Sequence, residues 1–189
     1  MELRPYQQAA IDAVYRHLRE RDDNPVVVIP TAGVKTPILA TICRDAVERW
    51  QGRVLVVSHV KELLEQAVAK LKVVCPDLAV GIYSAGLQRR DSQQRVIVAG
   101  IQSIYRRASE LGSFDLVIVD EAHLIPADGE GMYRQFLADA KTLNPQLRVI
   151  GLTATPFRTD CGSICGAEQI LNTICYEVGV KQLIRDGYL

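Results

Sequence analysis

The chain has 189 residues and a mass of 20.9 kDa, and 48% of its residues are hydrophobic and 23% charged. This composition excludes disordered and collagen-like chains and predicts one compact domain with a single core. Lysine plus arginine and aspartate plus glutamate each total 22, so net charge does not indicate a nucleic-acid partner, and any such binding must depend on local contacts. No apolar run approaches the ~20 residues of a membrane span, and the N-terminal segment carries acidic residues, unlike a signal peptide. We therefore expect a cytoplasmic protein with no membrane partner.

Short β-branched apolar runs alternate with amphipathic helical patterns along the chain. This alternation is typical of an α/β protein with a mostly parallel sheet flanked by helices on both faces. The first three predicted helices have apolar stripes within residues 6–18, 38–47 and 63–71. The predicted strands are residues 26–29, 54–57, 80–83, 96–99, 116–119 and 149–152. Because ligands of such sheets bind at the carboxyl ends of the strands, functional side chains are expected directly after these runs.

Towards the C-terminus the pattern predicts a surface loop at residues 128–131, a helix after it, and a short final helix at residues 180–186. The last three residues, 187–189, show no recognisable helix-ending pattern, which suggests a fragment of a longer protein.

The sequence has five cysteines, and we expect reduced structural thiols. Cys43 falls within an apolar helical pattern, where a small buried thiol is usual. Cys161, Cys165 and Cys175 raise the alternative of a zinc or iron–sulfur site, but a fourth ligand and Cys-x-x-Cys spacing are both missing.

The loop after the first predicted strand has the features of a phosphate-binding site. Residues 30–37 are small or apolar apart from Lys35 and the threonines, and a helix follows directly. Backbone N–H groups and a helix N-terminus would face an anion, Lys35 would neutralise it, and the Thr36 hydroxyl could hold Mg²⁺. The strict pattern G-x-x-x-x-G-K-[ST] is not met, because Ile29 and Val34 fill the glycine positions. An ordinary solvated lysine is the alternative interpretation.

The fifth predicted strand ends in Asp120, Glu121, Ala122 and His123. A Mg-nucleotide site needs one carboxylate to hold the metal and a second to orient and deprotonate the attacking water. The alternative is a helix N-cap at Asp120 with Glu121 in the first helical turn. Because the Lys35 loop occurs in the same chain, the pair favours the functional interpretation.

With these two motifs in this order, residues 1–189 resemble a single domain, the N-terminal RecA-like ATP-binding domain of a DEAD/DEAH-box superfamily 2 helicase. The resemblance implies a RecA-like P-loop NTPase fold with ATP and Mg²⁺ as cofactors. Residues 31–36 resemble motif I, and residues 120–123 match motif II letter for letter. The resemblance further implies that Thr36 and Asp120 hold the metal. The implied catalytic residues are Lys35, Asp120, Glu121 and His123, and the implied nucleotide-binding residues of the loop are Thr31, Ala32, Gly33, Val34, Lys35 and Thr36.

Other segments match the family in chain order. Residues 3–7 resemble the adenine-reading segment, which implies that Gln7 binds the adenine edge and Arg4 supports it. Thr153 and Thr155 resemble motif III, which couples nucleotide state to strand movement. Residues 58–63 and 100–103 resemble motifs Ia and Ib, and the implied nucleic-acid contacts are Ser58, His59, Gly100 and Gln102. The alternative interpretations are an exposed helix start for Arg4 and Gln7, a loop cap for Thr153 and Thr155, and turn residues for Ser58 and His59.

The sequence departs from the family in two ways. Phosphate loops of the family usually read Thr-Gly-x-Gly-Lys-Thr, whereas Ala32 and Val34 replace both glycines here. Val34 is β-branched and resists positive φ, so we expect weakened nucleotide binding. In addition, the family completes its ATP site with arginines from a second RecA-like domain, which this chain does not contain, so we expect weak or absent hydrolysis by the isolated domain.

The prediction is therefore a nucleic-acid-dependent ATPase domain of a DEAH-box helicase or translocase. The first alternative is a non-hydrolysing nucleic-acid-binding or regulatory module that kept the fold but lost turnover through Ala32 and Val34. The second, a P-loop kinase of small molecules, leaves motifs Ia and III unexplained. The sequence does not distinguish DNA from RNA.

Overall fold

A computed structural model describes residues 2–31, 34–125, 130–158 and 162–189. The helices are α1 (Pro5–Glu20), α2 (Thr36–Glu48), α3 (Lys61–Val74), α4 (Ile101–Ile104), α5 (Ala108–Leu111), α6 (Glu130–Leu143) and α7 (Val180–Arg185). The strands are β1 (Pro25–Val28), β2 (Val54–Ser58), β3 (Val80–Ser84), β4 (Arg89–Arg90), β5 (Val96–Gly100), β6 (Leu116–Val119), β7 (Arg148–Thr153), β8 (Phe157–Arg158), β9 (Gly162–Ser163) and β10 (Thr173–Glu177). Each of the six predicted strands is confirmed to within one residue at either end.

Eight of these strands form one sheet in the order β10-β1-β7-β6-β2-β5-β3-β4. Every pairing is parallel except that of β4, which runs antiparallel to β3 at one edge. Strands β8 and β9 pair separately. The predicted mostly parallel sheet is therefore confirmed, although the sequence patterns did not predict β4, β8, β9 or β10.

Helices cover both faces of the sheet, as predicted. One core contains side chains from α1, α2, α3 and α7, and the other contains side chains from α4, α5 and α6. Neighbouring residues of a strand point to opposite cores: Val27 belongs to the first, and Val26 and Val28 belong to the second. Within the described ranges, no helix combines the length and the apolar character needed to cross a membrane.

The final helix does have an ending pattern, contrary to the sequence interpretation. Gly187 has φ +75°, the left-handed conformation that glycine adopts at low cost. Its N–H donates to Ile184 O at 3.1 Å, and the Tyr188 N–H donates to Leu183 O at 2.8 Å. These two bonds form a Schellman motif, which directs Tyr188 back towards α1.

The predicted loop at residues 128–131 is wrong for its last two residues, which are helical. Helix α6 begins at Glu130 and includes Gly131, while Asp128 and Gly129 lie outside the described residues. A glycine is tolerated there because the first helical turn depends less on intrinsic propensity than the helix interior does.

The structure describes four of the five cysteines. Cys43 is fully buried, and burial raises the pKa of its thiol, so the predicted buried thiol is confirmed. Cys165 and Cys175 are partly buried, and the Cys175 Sγ lies 3.4 Å from Val26 O. Cys161 lies outside the described residues.

Asp23, between α1 and β1, connects the start of the first strand to β10. Its carboxylate accepts hydrogen bonds from Arg21 Nε at 2.7 Å and from Thr173 Oγ1 at 2.6 Å, and His17 Nε2 lies 3.0 Å away. The hydrogen bonds from Arg21 and Thr173 hold the pKa of Asp23 well below its ordinary value. The folded state therefore stabilises the ionised carboxylate.

Replacing Asp23 by asparagine is expected to lower the free energy of unfolding at neutral pH by about 0.2–1 kcal/mol, the range for solvent-screened ion pairs. Because the folded pKa is depressed, this contribution is complete above the unfolded pKa of about 4 and is lost as the pH falls below it and through the folded pKa. Urea titrations of both proteins across this range measure the difference. The control is Asp22→Asn at an exposed neighbour. A loss that is independent of pH would contradict the electrostatic explanation.

Candidate functional site

The strand register brings the ends of five strands together at the carboxyl edge of the sheet. Val28 at the end of β1 pairs with Thr153 of β7. Asp120, directly after β6, donates its N–H to Val57 O of β2 at 2.9 Å. Ser58 of β2 pairs in turn with Gly100 of β5. Motifs that are far apart in the sequence therefore lie along one edge, in the spatial order I, III, II, Ia and Ib.

Lys35 and Glu121 form an ion pair at this edge. The Lys35 Nζ lies 3.1 Å from the Glu121 Oε1, and Lys35 is only 8% exposed. The other carboxylate oxygen, Glu121 Oε2, is buried without a hydrogen-bond partner among the described residues, although His123 Nδ1 lies 3.5 Å away. The phosphate-loop lysine and the acidic pair are therefore neighbours, and one carboxylate oxygen of the pair is buried with no hydrogen-bond partner among the described residues.

Asp120 is held in a position that suits a cation. Burial, reinforced by the adjacent Glu121 carboxylate, raises the pKa of Asp120 to about 6. The Glu121 N–H donates to Asp120 Oδ1 at 3.0 Å, and Lys35 and Lys70 oppose the pKa rise through their charges. A buried carboxylate of this kind gains free energy when a cation binds beside it. With the Thr36 hydroxyl at the start of α2, these residues fit a Mg²⁺ ion.

Beyond Asp120 the backbone turns sharply, and a short polar chain follows. Glu121 has φ +48° and ψ +50°, a left-handed conformation that is uncommon for a residue with a side chain. His123 Nδ1 lies 2.9 Å from Thr153 Oγ1, which donates to Thr155 O at 2.8 Å. Because the threonine hydroxyl uses its proton on Thr155, His123 Nδ1 is the donor to it. Burial lowers the pKa of His123, which favours the neutral ring.

The described part of the phosphate loop contains a strained residue. Val34 has φ +48° and its side chain is 46% exposed, so the β-branched residue adopts the conformation that a glycine would adopt freely. Helix α2 begins at Thr36 with Pro37 in its first turn, as expected. Thr31 is exposed. Ala32 and Gly33, two of the predicted nucleotide-binding residues, lie outside the described residues.

The predicted adenine-reading segment contacts both the phosphate loop and the C-terminus. Gln7 Nε2 donates to Val34 O at 3.1 Å, and Gln7 Oε1 accepts the Arg4 N–H at 2.9 Å. The Arg4 guanidinium lies 5.4 Å from the centre of the Tyr188 ring and 3.4 Å from the Tyr188 carbonyl oxygen. The Tyr6 and Tyr188 rings are 5.3 Å apart. The Tyr188 contacts were not predicted, because nothing in the local sequence links residues so far apart.

A cavity of about 520 Å³ extends from Lys35 and the acidic pair along the side of α3. Its polar end is formed by Lys35, Thr36, Asp120 and Glu121, and its other end is largely apolar. Sequence reasoning missed the lining residues on α3, which include Leu63, Gln66, Ala67, Lys70 and Val73. Lys70 follows Ala67 of the predicted apolar stripe by three residues, so helical periodicity could have placed it on the same side.

The structure also brings the predicted nucleic-acid contacts together. The Gln102 side-chain amide donates to His59 O at 2.9 Å, and Gly100 is the N-cap of α4. Ser58 is only 3% exposed, and its Oγ lies 3.4 Å from the Val60 N–H. The Ser58 hydroxyl therefore stabilises the turn into α3. Of the other predicted contacts, Gln102 is exposed, His59 is half-buried and Gly100 is buried.

With this geometry established, the chain can be compared with known proteins. A model of the family described as "Type III restriction enzyme, res subunit" matches residues 1–158. The chain is 33% identical over 201 aligned residues to the "Putative ATP-dependent helicase IRC3" of Saccharomyces cerevisiae, covering 99% of this chain and 28% of that protein. It is 32% identical over 161 residues to the "DNA 3'-5' translocase XPB2" of Sulfurisphaera tokodaii, covering 85% of this chain and 32% of that protein. The chain thus spans about a third or less of the length of these relatives.

Solved structures share the fold at low sequence identity. The Type ISP restriction-modification enzyme LlaGI, in complex with a DNA substrate mimic, has a TM-score of 0.71 at 18% identity, over 100% of this chain and 21% of that one. The UvsW helicase of bacteriophage T4 has a TM-score of 0.64 at 18% identity, over 82% of this chain and 54% of that one. The SWI2/SNF2 ATPase core of Sulfolobus solfataricus, in complex with dsDNA, has a TM-score of 0.64 at 17% identity, over 82% of this chain and 32% of that one. These similarities confirm the RecA-like fold.

Proposed function

This chain belongs to the Type III restriction enzyme res subunit family and is a RecA-like domain of the superfamily 2 helicase type, and we propose that it binds Mg-ATP and drives nucleic-acid-dependent hydrolysis in a longer DEAH-box helicase or translocase. The contact between Lys35 and Glu121 carries this proposal, because it joins the phosphate loop to the acidic pair. The named relatives are a putative helicase and a translocase, and two of the similar structures contain DNA or a DNA mimic.

The proposed roles follow from the chemistry of each group. On nucleotide binding, Lys35 would exchange its contact with Glu121 for the β- and γ-phosphates, and Thr36 and Asp120 would hold Mg²⁺. The bound ion would supply positive charge to neutralise the charge that develops on the phosphate oxygens. Once Lys35 has moved, Glu121 is able to orient a water molecule and accept its proton. The proposed hydrolysis therefore requires the ion pair of Lys35 with Glu121 to open.

Coupling to nucleic acid is assigned to the polar chain behind the acidic pair. His123 touches both Glu121 and Thr153, and Thr153 lies at the end of β7 with Thr155 beyond it. A change at Glu121 is thereby transmitted to the loop after β7. In the proposed full-length protein a second RecA-like domain supplies arginines to the nucleotide, so the isolated chain binds nucleotide better than it hydrolyses it.

One observation favours a second candidate function, a non-hydrolysing nucleic-acid-binding or regulatory module. Val34 lies at the cavity with positive φ and an exposed β-branched side chain, which places strain and bulk beside the phosphates. Such a module would bind nucleic acid and show no nucleic-acid-stimulated hydrolysis even as the full-length protein. A small-molecule kinase, in contrast, is disfavoured by the helicase and translocase relatives.

Replacing Lys35 by methionine is expected to weaken Mg-ATP binding by the chain by about tenfold to 100-fold, because a charge-assisted hydrogen bond contributes ~1.5–3 kcal/mol. A fluorescent ATP analogue, titrated with and without Mg²⁺, measures the affinity. Lys70→Met is the matched control, because Lys70 lines the same cavity on α3, and it should change the affinity far less. Equal affinities of Lys35→Met and the wild type, with both proteins folded by circular dichroism, would refute the proposed nucleotide site.

A further inference from the structure

Helix α3 has two stripes of apolar residues, and only one of them is fully buried in the core. Leu64, Val68 and Leu71 form the buried stripe. The second stripe lies along the cavity, and its members are three or four residues apart, the spacing of neighbours on one side of a helix: Leu63, Gln66, Ala67, Lys70, Val73 and Val74. A helix that packs on a sheet needs one apolar stripe, so packing on the sheet does not account for the second.

The second stripe forms one wall of a pocket. Pro37 and Leu39 of α2 line the same cavity on the other side, and we call the part of the cavity between them and the second stripe the α3 pocket. The whole cavity, of about 520 Å³, lies within the range of ~300–1,000 Å³ that is typical of small-molecule sites. Such sites are mostly apolar with a few polar groups, which is the composition of the α3 pocket.

The proposed nucleotide position does not use the α3 pocket. Helix α1 contacts β10 and β1, whereas α3 contacts β2, β5 and β3, and α2 contacts both of these helices. Helix α2 therefore lies between α1 and α3. The predicted base-reading residues, Arg4 and Gln7, belong to the α1 side, where Gln7 donates to Val34 O. A nucleotide with its phosphates at Lys35 and its base at Gln7 thus extends away from the α3 pocket.

Lys70 gives the α3 pocket a positive charge. Lys70 is exposed, and no carboxylate among the described residues lies within ion-pair distance of it. Uncharged residues occupy the positions three and four away from it on α3, which are Gln66, Ala67, Val73 and Val74. Lys35 at the polar end of the cavity is, in contrast, paired with Glu121. The Lys70 ammonium is therefore available to an anion beside an apolar wall.

We propose that the α3 pocket binds an amphipathic monoanion, with Lys70 holding the carboxylate or sulfonate of the ligand and the apolar side chains of α2 and α3 covering its apolar body. Apolar contact supplies most of the affinity at such a site, and the charged group fixes the orientation. This site goes beyond the proposed function and does not require it, because neither Lys70 nor the second stripe of α3 has a role in nucleotide binding.

The test uses two fluorescent probes with the same aromatic rings, anilinonaphthalene sulfonate and the uncharged phenylnaphthylamine. Fluorescence titration measures the affinity of each probe for the chain, and we expect both to bind. Lys70→Met should weaken the sulfonate probe about fivefold, the fold-change equivalent to ~1 kcal/mol for an exposed ion pair, and should leave the uncharged probe unchanged. Lys72→Met is the matched control, because Lys72 is exposed on α3 but does not line the cavity.

A second variant tests the apolar part of the site. Ala67→Phe should weaken both probes about tenfold or more, because its ring occupies volume that the probe needs. Ala138→Phe is the control, since Ala138 is exposed on α6 at the other face of the sheet. Circular dichroism checks the fold of each protein. Lys70→Met alters only an exposed side chain, so it tests the site even if Ala67→Phe does not fold.

Four results would overturn the proposal. If neither probe bound, there would be no such site, and if folded Ala67→Phe bound both probes as the wild type does, the probes would lie elsewhere. If Lys70→Met affected both probes equally or neither, Lys70 would not hold the anion. If saturating Mg-ATP displaced the sulfonate probe, the α3 pocket would belong to the nucleotide site. A chain that bound the probes as expected but failed to bind Mg-ATP would refute the proposed function and leave this site standing.

Discussion

Replacing Glu121 by glutamine is expected to lower ATP hydrolysis by the full-length protein about 100-fold or more, the range for loss of a general base. Mg-ATP binding should persist or tighten, because Glu121 pairs with Lys35 at 3.1 Å, and a neutral amide competes less well with phosphate for the lysine. Steady-state hydrolysis with saturating nucleic acid and a separate binding titration measure the two effects. Glutamine keeps the size of the side chain, so the turn after β6 is preserved.

The matched control is Asp120→Asn at the neighbouring carboxylate. Asp120 is the proposed metal ligand, so this variant should lose the Mg²⁺ dependence of nucleotide binding, whereas Glu121→Gln should keep it. If Glu121→Gln lowered binding and hydrolysis by the same factor, Glu121 would act only by holding Lys35 in place. That result would refute its assignment as the base while leaving Lys35 as a phosphate ligand.

The strands that sequence patterns predict well are those buried on both faces. The run from Leu116 to Val119 is fully buried, so both faces select β-branched apolar residues and the boundaries are sharp. Strand β10, Thr173–Glu177, lies at the sheet edge with only partial burial. Its hydrophobic run is only the three residues Ile174 to Tyr176, between polar ends, so the criterion that finds the longer runs of central strands passes over it.

The motifs predicted the chemistry of the site but not its contacts. The sequence places the acidic pair after one strand and Lys35 after another. That both lie at the same edge of the sheet follows because the strands are parallel and share a carboxyl edge. The ion pair of Lys35 with Glu121 depends on the order of β1, β7 and β6 and on the left-handed backbone of Glu121. Neither follows from local sequence, because strand order is set by packing of the whole sheet and an unusual φ is imposed by its surroundings.

The same limit explains why neither the strand order nor the position of Arg89 and Arg90 at the sheet edge was predicted. Arg89 and Arg90 are a charged pair in a polar stretch, which predicts nothing by itself. They acquire a position only when β4 pairs with β3 and so becomes one edge of the sheet. A sequence with balanced charge can thus still present a locally positive surface.

Replacing Val34 by glycine is expected to tighten Mg-ATP binding by the chain by about tenfold, equivalent to ~1.4 kcal/mol. The substitution removes the side chain that lines the cavity, and it allows φ +48° without the cost of about 1–3 kcal/mol for an L-residue in a sparsely populated region. Glycine loses about 0.5–1 kcal/mol through backbone entropy, and Val34 is 46% exposed, so little burial is forfeited. The free energy of unfolding should therefore rise by about 1 kcal/mol.

Two control substitutions distinguish the effect of backbone strain from the effect of side-chain bulk at Val34. Val34→Ala removes the β-branch but keeps an L-residue at positive φ, so its nucleotide affinity should lie between those of the wild type and Val34→Gly. Gln51→Gly relieves a positive φ of +54° at the end of α2, away from the residues that line the cavity, so it should change stability without changing affinity. Equal, tight binding by the wild type and Val34→Gly would show that valine does not impair the phosphate loop. In that case Val34 would no longer favour a non-hydrolysing module.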